Sequence, residues 1–171
     1  MSFISKLGRS RILLVYSNDE RIQKQVDEVE KISSEYGLKI KKFNVANSTD
    51  IYSISSAIGN SECILVLKDH TIVSMINVIV EAAYDLPVIT SDEGSVMSGA
   101  DLAIGVKESQ IGELGAEILN EMIDGKKINE IPVKSIQKPI VFYKGISGNP
   151  LHLKNVKEIA DEMDYDVVEI K

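Results

Sequence analysis

Two stretches decide the fold: V-L-K-D-H-T-I-V-S at residues 66–74 and V-I-T-S-D-E-G-S-V-M-S-G at residues 88–99. Each is a short apolar run that stops at an acidic turn of small residues, and a helical pattern follows. Such junctions are typical of open α/β sheets, in which small ligands bind at the carboxyl ends of the strands. The two stretches therefore indicate a binding module rather than an enzyme.

Strand and helix patterns alternate around these two stretches. Short apolar runs predict strands at residues 11–16, 38–45, 63–67, 87–90 and 102–106. Helical spacing of apolar residues predicts helices at residues 20–36, 47–58, 71–84 and 109–124. Three of these helices are followed by a glycine suited to a C-cap. The alternation predicts an α/β fold, a doubly wound parallel sheet flanked by helices with the flavodoxin-like order 2-1-3-4-5.

The rhythm changes after Lys126. Residues 131–136 are expected to be extended, 139–143 a strand, 145–150 a turn, 151–163 a helix and 166–170 a strand. We therefore divide the chain into a flavodoxin-like ligand-binding lobe, residues 1–130, and a second part, residues 131–171. This second part comprises a crossover segment and a C-terminal strand-helix-strand appendage.

Composition and charge exclude several classes of function. The net charge is −7, so a general affinity for nucleic acid or an anionic membrane is not expected. The apolar stretches are shorter than the roughly 20 residues of a membrane-spanning helix. Cys63, the single cysteine, lies in a strand pattern, which favours a buried small hydrophobe. The N-terminus lacks a signal-peptide pattern, so the chain is expected to be cytoplasmic if it is a complete gene product.

Three ordered motifs carry a family resemblance. They are V-A-N-S-T-D-I at residues 45–51, V-L-K-D-H-T-I-V-S at residues 66–74 and T-S-D-E-G-S-V-M-S-G-A at residues 90–100. They resemble the signatures V-S-N-S-S-D-I, V-P-T-D-N-T-V-V-S and A-S-D-E-G-S-V-x-x-G-A of ABC-transporter substrate-binding proteins of the aromatic amino acid uptake type. Residues 6–138 are similar to the second lobe of that family.

The resemblance implies a periplasmic-binding-protein type I fold, of which this chain has one lobe. It also implies a small amino-acid-like ligand, an ABC permease as partner and an extracytoplasmic location, periplasmic or membrane-anchored. The chain departs from the family pattern at Lys68 and His70, where the family has Thr and Asn. It also has Glu108 and Ser109 where the family often has two tyrosines, so the aromatic specificity is left open.

The candidate ligand-binding residues follow the predicted strands at one rim of the sheet. They are Ser17, Asn18, Asp69, His70, Thr71, Ser91, Asp92, Glu93 and Gly94. Carboxylates suit a ligand ammonium, hydroxyls near helix N-termini suit a carboxylate, and glycine allows a close backbone approach. For Asp69 and Asp92, capping of the following helices is an equal alternative.

No catalytic residue, metal site or cofactor is predicted. The sequence contains no Walker A loop, no dinucleotide fingerprint and no His, Cys and Asp cluster with metal-ligand spacing. A phosphoacceptor receiver domain is a weaker alternative. It would use Asp19 and Glu20 after the first strand, Asp69 after the third and Lys107 after the fifth.

Two hypotheses lead. The first is a solute-binding lobe of an ABC-type importer that holds its ligand non-covalently. The second is a truncated lobe that is retained as a dimerisation or regulatory interaction module. A single lobe holds about half of the contacts of a two-lobed site, so weak binding and a possible homodimer are expected, with dimerisation through the cleft face and residues 126–139.

Overall fold

The computed structural model describes residues 1–145 and 155–170 of the chain. Its strands are β1 Arg11–Ser17, β2 Lys39–Val45, β3 Cys63–Val66, β4 Val88–Thr90, β5 Leu102–Gly105, β6 Ile140–Lys144 and β7 Asp166–Ile170. They form one seven-stranded sheet in the order β2-β1-β3-β4-β5-β6-β7. The order predicted for the first five strands, 2-1-3-4-5, is therefore confirmed.

Eight α-helices connect and flank these strands. They are α1 Ser2–Lys6, α2 Glu20–Glu35, α3 Ile54–Ile58, α4 His70–Val73, α5 Ile76–Ala83, α6 Glu93–Met97, α7 Glu108–Ile123 and α8 Val156–Glu162. Two 3-10 helices, Ser48–Ser53 and Ile128–Glu130, complete the set found in the described parts of the chain.

Alternating side chains of the central strand β1 point to opposite faces of the sheet, as strand geometry requires. Leu13 and Val15 pack on one face with apolar residues of α3, α4 and α5. On the other face, Leu14 packs against α2, whereas Ile12 lies in a cluster with residues of α1 and α8. The sheet thus has helices on both faces, which confirms the doubly wound α/β class.

The fifth and sixth strands run antiparallel, with Leu102 paired to Tyr143 and Gly105 to Ile140. Strands β6 and β7 are parallel to each other. Strands β6 and β7 therefore continue the sheet beyond β5. Helix α8 contributes Val156 and Ile159 to the cluster that also contains Cys63, which is buried as expected. Burial raises the pKa of that thiol to about 12.

Three details differ from the helices predicted above. The helix predicted at residues 71–84 is two helices, because the Met75 amide bonds to the Ile72 carbonyl and the chain tightens there. The second of them ends at Tyr84, which has a φ of 55°. The helix predicted at residues 47–58 begins as a 3-10 helix. Helix α1 was not predicted; its Phe3 stacks on Tyr165 at a centroid distance of 6.3 Å.

Most of the turn predicted at residues 145–150 and the start of the helix predicted at residues 151–163 lie outside the described residues. Residues 131–136 form no strand with the described part of the chain. Their Lys134 instead reaches Glu117 and Glu121 of α7, at 3.0 and 2.9 Å.

Two peripheral elements have little cover. Strand β2 is an edge of the sheet and exposes Lys39, Lys41 and Lys42. No residue of α7 is buried against the described part of the chain. Met97, the last residue of α6, is also exposed.

Candidate functional site

Each of three neighbouring strands is followed by an aspartate that caps the next helix. Asp19 caps α2 after β1, Asp69 caps α4 after β3, and Asp92 caps α6 after β4. All three have extended backbone conformations, as N-cap residues do. Since these strands are parallel, their carboxyl ends lie at one edge of the sheet. The capping alternative for Asp69 and Asp92 is therefore confirmed in the structure. Whether each carboxylate can also bind a ligand depends on which of its oxygens already accept hydrogen bonds.

Asp19 is fully engaged. Its Oδ1 accepts a hydrogen bond from the Arg21 amide at 2.8 Å, and the Arg21 guanidinium donates to Oδ1 at 3.1 Å and to Oδ2 at 2.7 Å. The side-chain hydrogen bonds from Arg21 lower the pKa of Asp19 to about 2. Asp19 is thus ionised and neutralised by Arg21 at neutral pH.

Asp92 is also engaged through both oxygens. The Ser95 amide donates to Oδ1 at 3.0 Å, and the Ser95 hydroxyl donates to Oδ2 at 2.7 Å. Ser95 is buried, so this pair of hydrogen bonds is shielded from water. Asp92 therefore serves the start of α6.

Asp69 differs from both. Its Oδ1 accepts a hydrogen bond from the Ile72 amide at 2.9 Å. Its Oδ2 is buried and has no hydrogen-bond partner among the described residues. A buried carboxylate oxygen without a donor is unfavourable. Asp69 therefore has one unused acceptor at the edge of the sheet.

A cavity of about 450 Å³ opens at this edge, between the ends of β1, β2 and β3. It brings together five of the nine candidate residues: Ser17, Asn18, Asp69, His70 and Thr71. The other lining residues are Asp19, Arg21, Val45 and Ala46. The position agrees with the strand order, because chain order reverses between β1 and β3 and leaves a crevice there.

A second cavity of about 490 Å³ shares Asp19, Arg21, Asp69 and His70 with the first. It extends along α2 and α4, where it is lined also by Ile22, Gln25, Lys68, Val73 and Ser74. The two cavities thus meet at Asp69 and at the Asp19–Arg21 pair. A ligand with a polar head and an apolar body fits such a combination.

The other four candidates, Ser91, Asp92, Glu93 and Gly94, line neither of these cavities. Strand β4 lies beyond β3 as seen from β1, which carries their turn away from the crevice. A Cβ at Gly94 would lie 3.3 Å from Asp92 Oδ1, so the glycine leaves room for the cap. A Cβ at Gly105 in β5 would collide with the Ser91 carbonyl oxygen. The turn after β4 is therefore packed directly on the neighbouring strand.

Sequence reasoning missed four of the residues that line the first cavity: Asp19, Arg21, Val45 and Ala46. Val45 and Ala46 end β2, whose loop was not expected at the rim, although order 2-1-3 places β2 beside β1. The spacing of Asp19 and Arg21 after β1 was a usable signal for a carboxylate–guanidinium pair. Lys107, which a receiver domain would need near Asp69, lines neither cavity.

Within residues 1–145 and 155–170, no group of three His, Cys, Asp or Glu side chains is placed to hold a metal ion. Among the described helices, none combines the length and the apolar character needed to cross a membrane.

Comparison with known proteins places these features in context. A family model described as ABC transporter substrate binding protein matches residues 8–149. An uncharacterized protein of Rickettsia prowazekii is 32% identical over 143 residues, which are 81% of this chain and 47% of that protein. A tyrosine-binding protein of Clostridioides difficile is 26% identical over 161 residues, 89% of this chain and 47% of that protein. The chain spans about half the length of these relatives.

A solved structure shares the fold. The ABC domain in complex with L-Trp from Streptococcus pneumonia aligns with a TM-score of 0.71 and 20% sequence identity. The alignment covers 98% of this chain and 60% of that chain. At this identity the likeness concerns the fold alone, and it agrees with the predicted type I periplasmic-binding-protein architecture.

Proposed function

Because the chain belongs to the ABC transporter substrate-binding protein family, we propose that it binds a small amino-acid-like ligand without covalent chemistry. The site is the cavity at the ends of β1 and β3, where Ser17, Asn18, Asp69, His70 and Thr71 lie together. One observation carries this proposal: Asp69 Oδ2 is buried and has no hydrogen-bond partner among the described residues. A ligand that supplies a donor there removes an unfavourable feature of the free protein.

The unused oxygen favours an ammonium group. A hydrogen bond between an ammonium and a carboxylate is charge-assisted and stronger than a neutral one. Asp69 is the acceptor in this proposal because Arg21 already neutralises Asp19 and Ser95 occupies both oxygens of Asp92. Hydroxyl donors for the ligand's carboxylate are available on Ser17 and Thr71. A zwitterionic amino acid meets both requirements.

The apolar part of the ligand fits the second cavity, where Ile22 and Val73 contribute the lining. Lys68 and His70 border the same space, and they replace the Thr and Asn of the related proteins' motif. The relatives named above are associated with tyrosine and L-Trp, and the proposal extends to this chain only the class of free amino acids. The turn of Ser91, Asp92, Glu93 and Gly94 lines neither cavity, and the proposal assigns it no contact with the ligand.

The transport role is part of the same proposal. In two-lobed binding proteins, closure around the ligand supplies contacts from both lobes. This chain has one lobe, so it binds weakly alone, and it delivers its ligand to an ABC permease outside the cytoplasm when a second lobe completes the site. No reaction step is proposed for His70 or for any other residue of the cavity.

The first experiment is thermal unfolding with free phenylalanine, tyrosine, tryptophan and branched aliphatic amino acids at millimolar concentration. Binding to the folded state raises the Tm by mass action. The shift is expected for at least one amino acid and is lost with its N-acetyl derivative, which has no ammonium. Absence of any shift for the whole panel would contradict the proposal.

Matched variants locate the site. Asp69→Asn keeps an oxygen for the Ile72 amide but removes the charge, so the ligand-dependent Tm shift is expected to disappear. Asp92→Asn makes the same chemical change in the turn that lines neither cavity, and the shift is expected to persist. A shift that survives Asp69→Asn would exclude Asp69 as the ammonium acceptor.

The second candidate function is an interaction module without a role in transport. The exposed apolar side chains of α7 favour it, because Ile111, Leu119 and Ile123 are accessible to a partner. A wild-type chain that shows no amino-acid-dependent Tm shift but associates through α7 would support this candidate.

A further inference from the structure

The second cavity contains a lysine that has no counterion in the described structure. The charged side chains that line this cavity are Asp19, Arg21, Lys68 and Asp69. Asp19 and Arg21 neutralise each other across 2.7 Å. Asp69 Oδ1 accepts from the Ile72 amide and Oδ2 has no partner, so Lys68 is bonded to neither aspartate. A ligand can therefore supply an anion to Lys68 without breaking an ion pair of the described chain.

The α-carboxylate of an amino acid is not placed to be that anion. In the function proposed above it lies in the first cavity, beside the hydroxyls of Ser17 and Thr71, and Lys68 does not line that cavity. Asp69 lines both cavities. The α-carbon carries the ammonium, the α-carboxylate and the side chain. A ligand held at Asp69 with its α-carboxylate in the first cavity therefore directs its side chain into the second, towards Lys68.

The lining of the second cavity suits a side chain with an apolar stem and an anionic end. Ile22 and Val73 supply apolar walls on which methylene groups can pack. Lys68 and the Gln25 amide can donate to a terminal group, and both side chains are exposed and line the same cavity. A carboxylate accepts from both, and its hydrogen bond from the ammonium is charge-assisted.

We propose that the ligand of this chain is an amino acid whose side chain ends in a second carboxylate, and that Lys68 binds this carboxylate. The inference rests on the proposed function, because Asp69 must hold the ammonium for the side chain to enter the second cavity. Lys68 is then a residue that determines specificity. Neutral amino acids still bind through Asp69, with lower affinity. The related motif has an uncharged Thr at the position of Lys68, so this preference is a property of the present sequence.

Matched pairs of amino acids test the preference. Glutamate is compared with glutamine, and α-aminoadipate with norleucine, which has a methyl group in place of the distal carboxylate. The Tm of the full chain is measured over a concentration series of each ligand, at constant pH and ionic strength, to give apparent affinities. The acidic member of at least one pair is expected to bind about tenfold more tightly, as a hydrogen bond between charged groups allows.

A pair of lysine variants tests the role of Lys68. Lys68→Gln removes the charge and keeps a polar side chain, so it is expected to reduce the preference to about twofold or less, with neutral ligands bound as before. Lys24→Gln is the control, because Lys24 is exposed on α2 and lines neither cavity. It makes the same change in net charge and is expected to keep the tenfold preference. An unchanged Tm of both variants without ligand verifies the fold.

The outcomes separate this inference from the proposed function. Equal affinities within both pairs overturn the inference and leave the proposed function intact. A Lys68→Gln variant that weakens the acidic and the neutral ligand equally assigns Lys68 to the α-carboxylate and overturns the inference as well. The same holds if the preference survives Lys68→Gln. A wild type whose Tm responds to no amino acid refutes the proposed function, and the inference falls with it.

Discussion

The turns after β3 and β4 have the same plan and different uses. Both carry an aspartate N-cap at the carboxyl end of a buried strand, and in both the residue three positions later donates its amide. After Asp92 that residue is Ser95, whose hydroxyl also satisfies the second carboxylate oxygen. After Asp69 it is Ile72, which has no further donor, and Asp69 Oδ2 remains unpaired within the described structure. The residue three positions after the aspartate therefore decides whether the second carboxylate oxygen is satisfied within the described structure or remains available to a ligand.

The largest effect is expected where the turn after β4 packs on β5. Gly105→Ala places a Cβ against the Ser91 carbonyl, so the turn or the strand must move. The expected loss is about 3 kcal/mol in the free energy of unfolding, measured by urea denaturation. Gly115→Ala is the matched control, because its Cβ meets no atom within 4 Å. This variant is expected to raise the free energy of unfolding by up to about 1 kcal/mol. Equal stabilities of the two variants would show that the turn after β4 is not held by β5.

A moderate effect is expected from truncation of the two aspartates. Asp92→Ala removes two hydrogen bonds from the start of α6 and leaves the buried Ser95 hydroxyl without its acceptor, at a cost of about 2 kcal/mol. Asp69→Ala removes one hydrogen bond and also the unpaired oxygen, so its cost is below about 1 kcal/mol.

Chemical denaturation of both alanine variants without ligand measures this difference. A larger loss for Asp69→Ala than for Asp92→Ala would mean that Asp69 Oδ2 has a stabilising partner in solution. The comparison between the two turns would then fail.

The smallest effect concerns the third aspartate. In Arg21→Gln the pKa of Asp19 is expected to rise from about 2 towards its ordinary value of 3.8, because the guanidinium hydrogen bonds are lost. A lowered pKa in the folded protein gives stability above the unfolded-state pKa that is lost as the pH falls towards 2. Arg21→Gln should therefore flatten the pH dependence of stability between about pH 4 and pH 2. Its loss of stability is full at neutrality, is small because the pair is exposed, and disappears as the pH falls towards 2.

Carboxyl-detected NMR titration of the wild type and of Arg21→Gln measures the Asp19 pKa directly. An Asp19 pKa that is the same in both proteins would show that Arg21 is not its partner in solution. Asp19 would then compete with Asp69 as an acceptor for the ligand.

Most of the fold follows from local sequence patterns. The apolar runs that stop at polar turns predict β1, β3 and β4 to within about one residue, because a buried strand is apolar and the turn that follows it is polar. The break between α4 and α5 was not predicted, since the apolar spacing continues through Ser74 and Met75 while the hydrogen bonds tighten. The direction of β6 also depends on how the chain crosses the sheet, which spacing does not encode.

The candidate site was predicted only in part for a similar reason. The sequence identifies residues at strand ends, and Ser17, Asn18, Asp69, His70 and Thr71 do meet at one cavity. It does not identify which strand ends lie beside each other, so the end of β2 was overlooked, and the turn after β4 stays a prediction that neither described cavity includes. The exposure of apolar side chains of α7 likewise could not be predicted from the sequence, because their amphipathic spacing is that of an ordinary helix packed on a core.

The lysines of β2 have a consequence for aggregation. An open sheet edge offers unpaired backbone groups on which a strand of another molecule can add, and this is a route to fibrils. Lys39 and Lys41 are exposed along that edge, whereas Lys42 pairs with Glu30 at 3.0 Å. Two such edges that approach each other therefore bring together four ammonium groups that are unpaired in the described structure, and their repulsion disfavours ordered growth of β-structure at this edge.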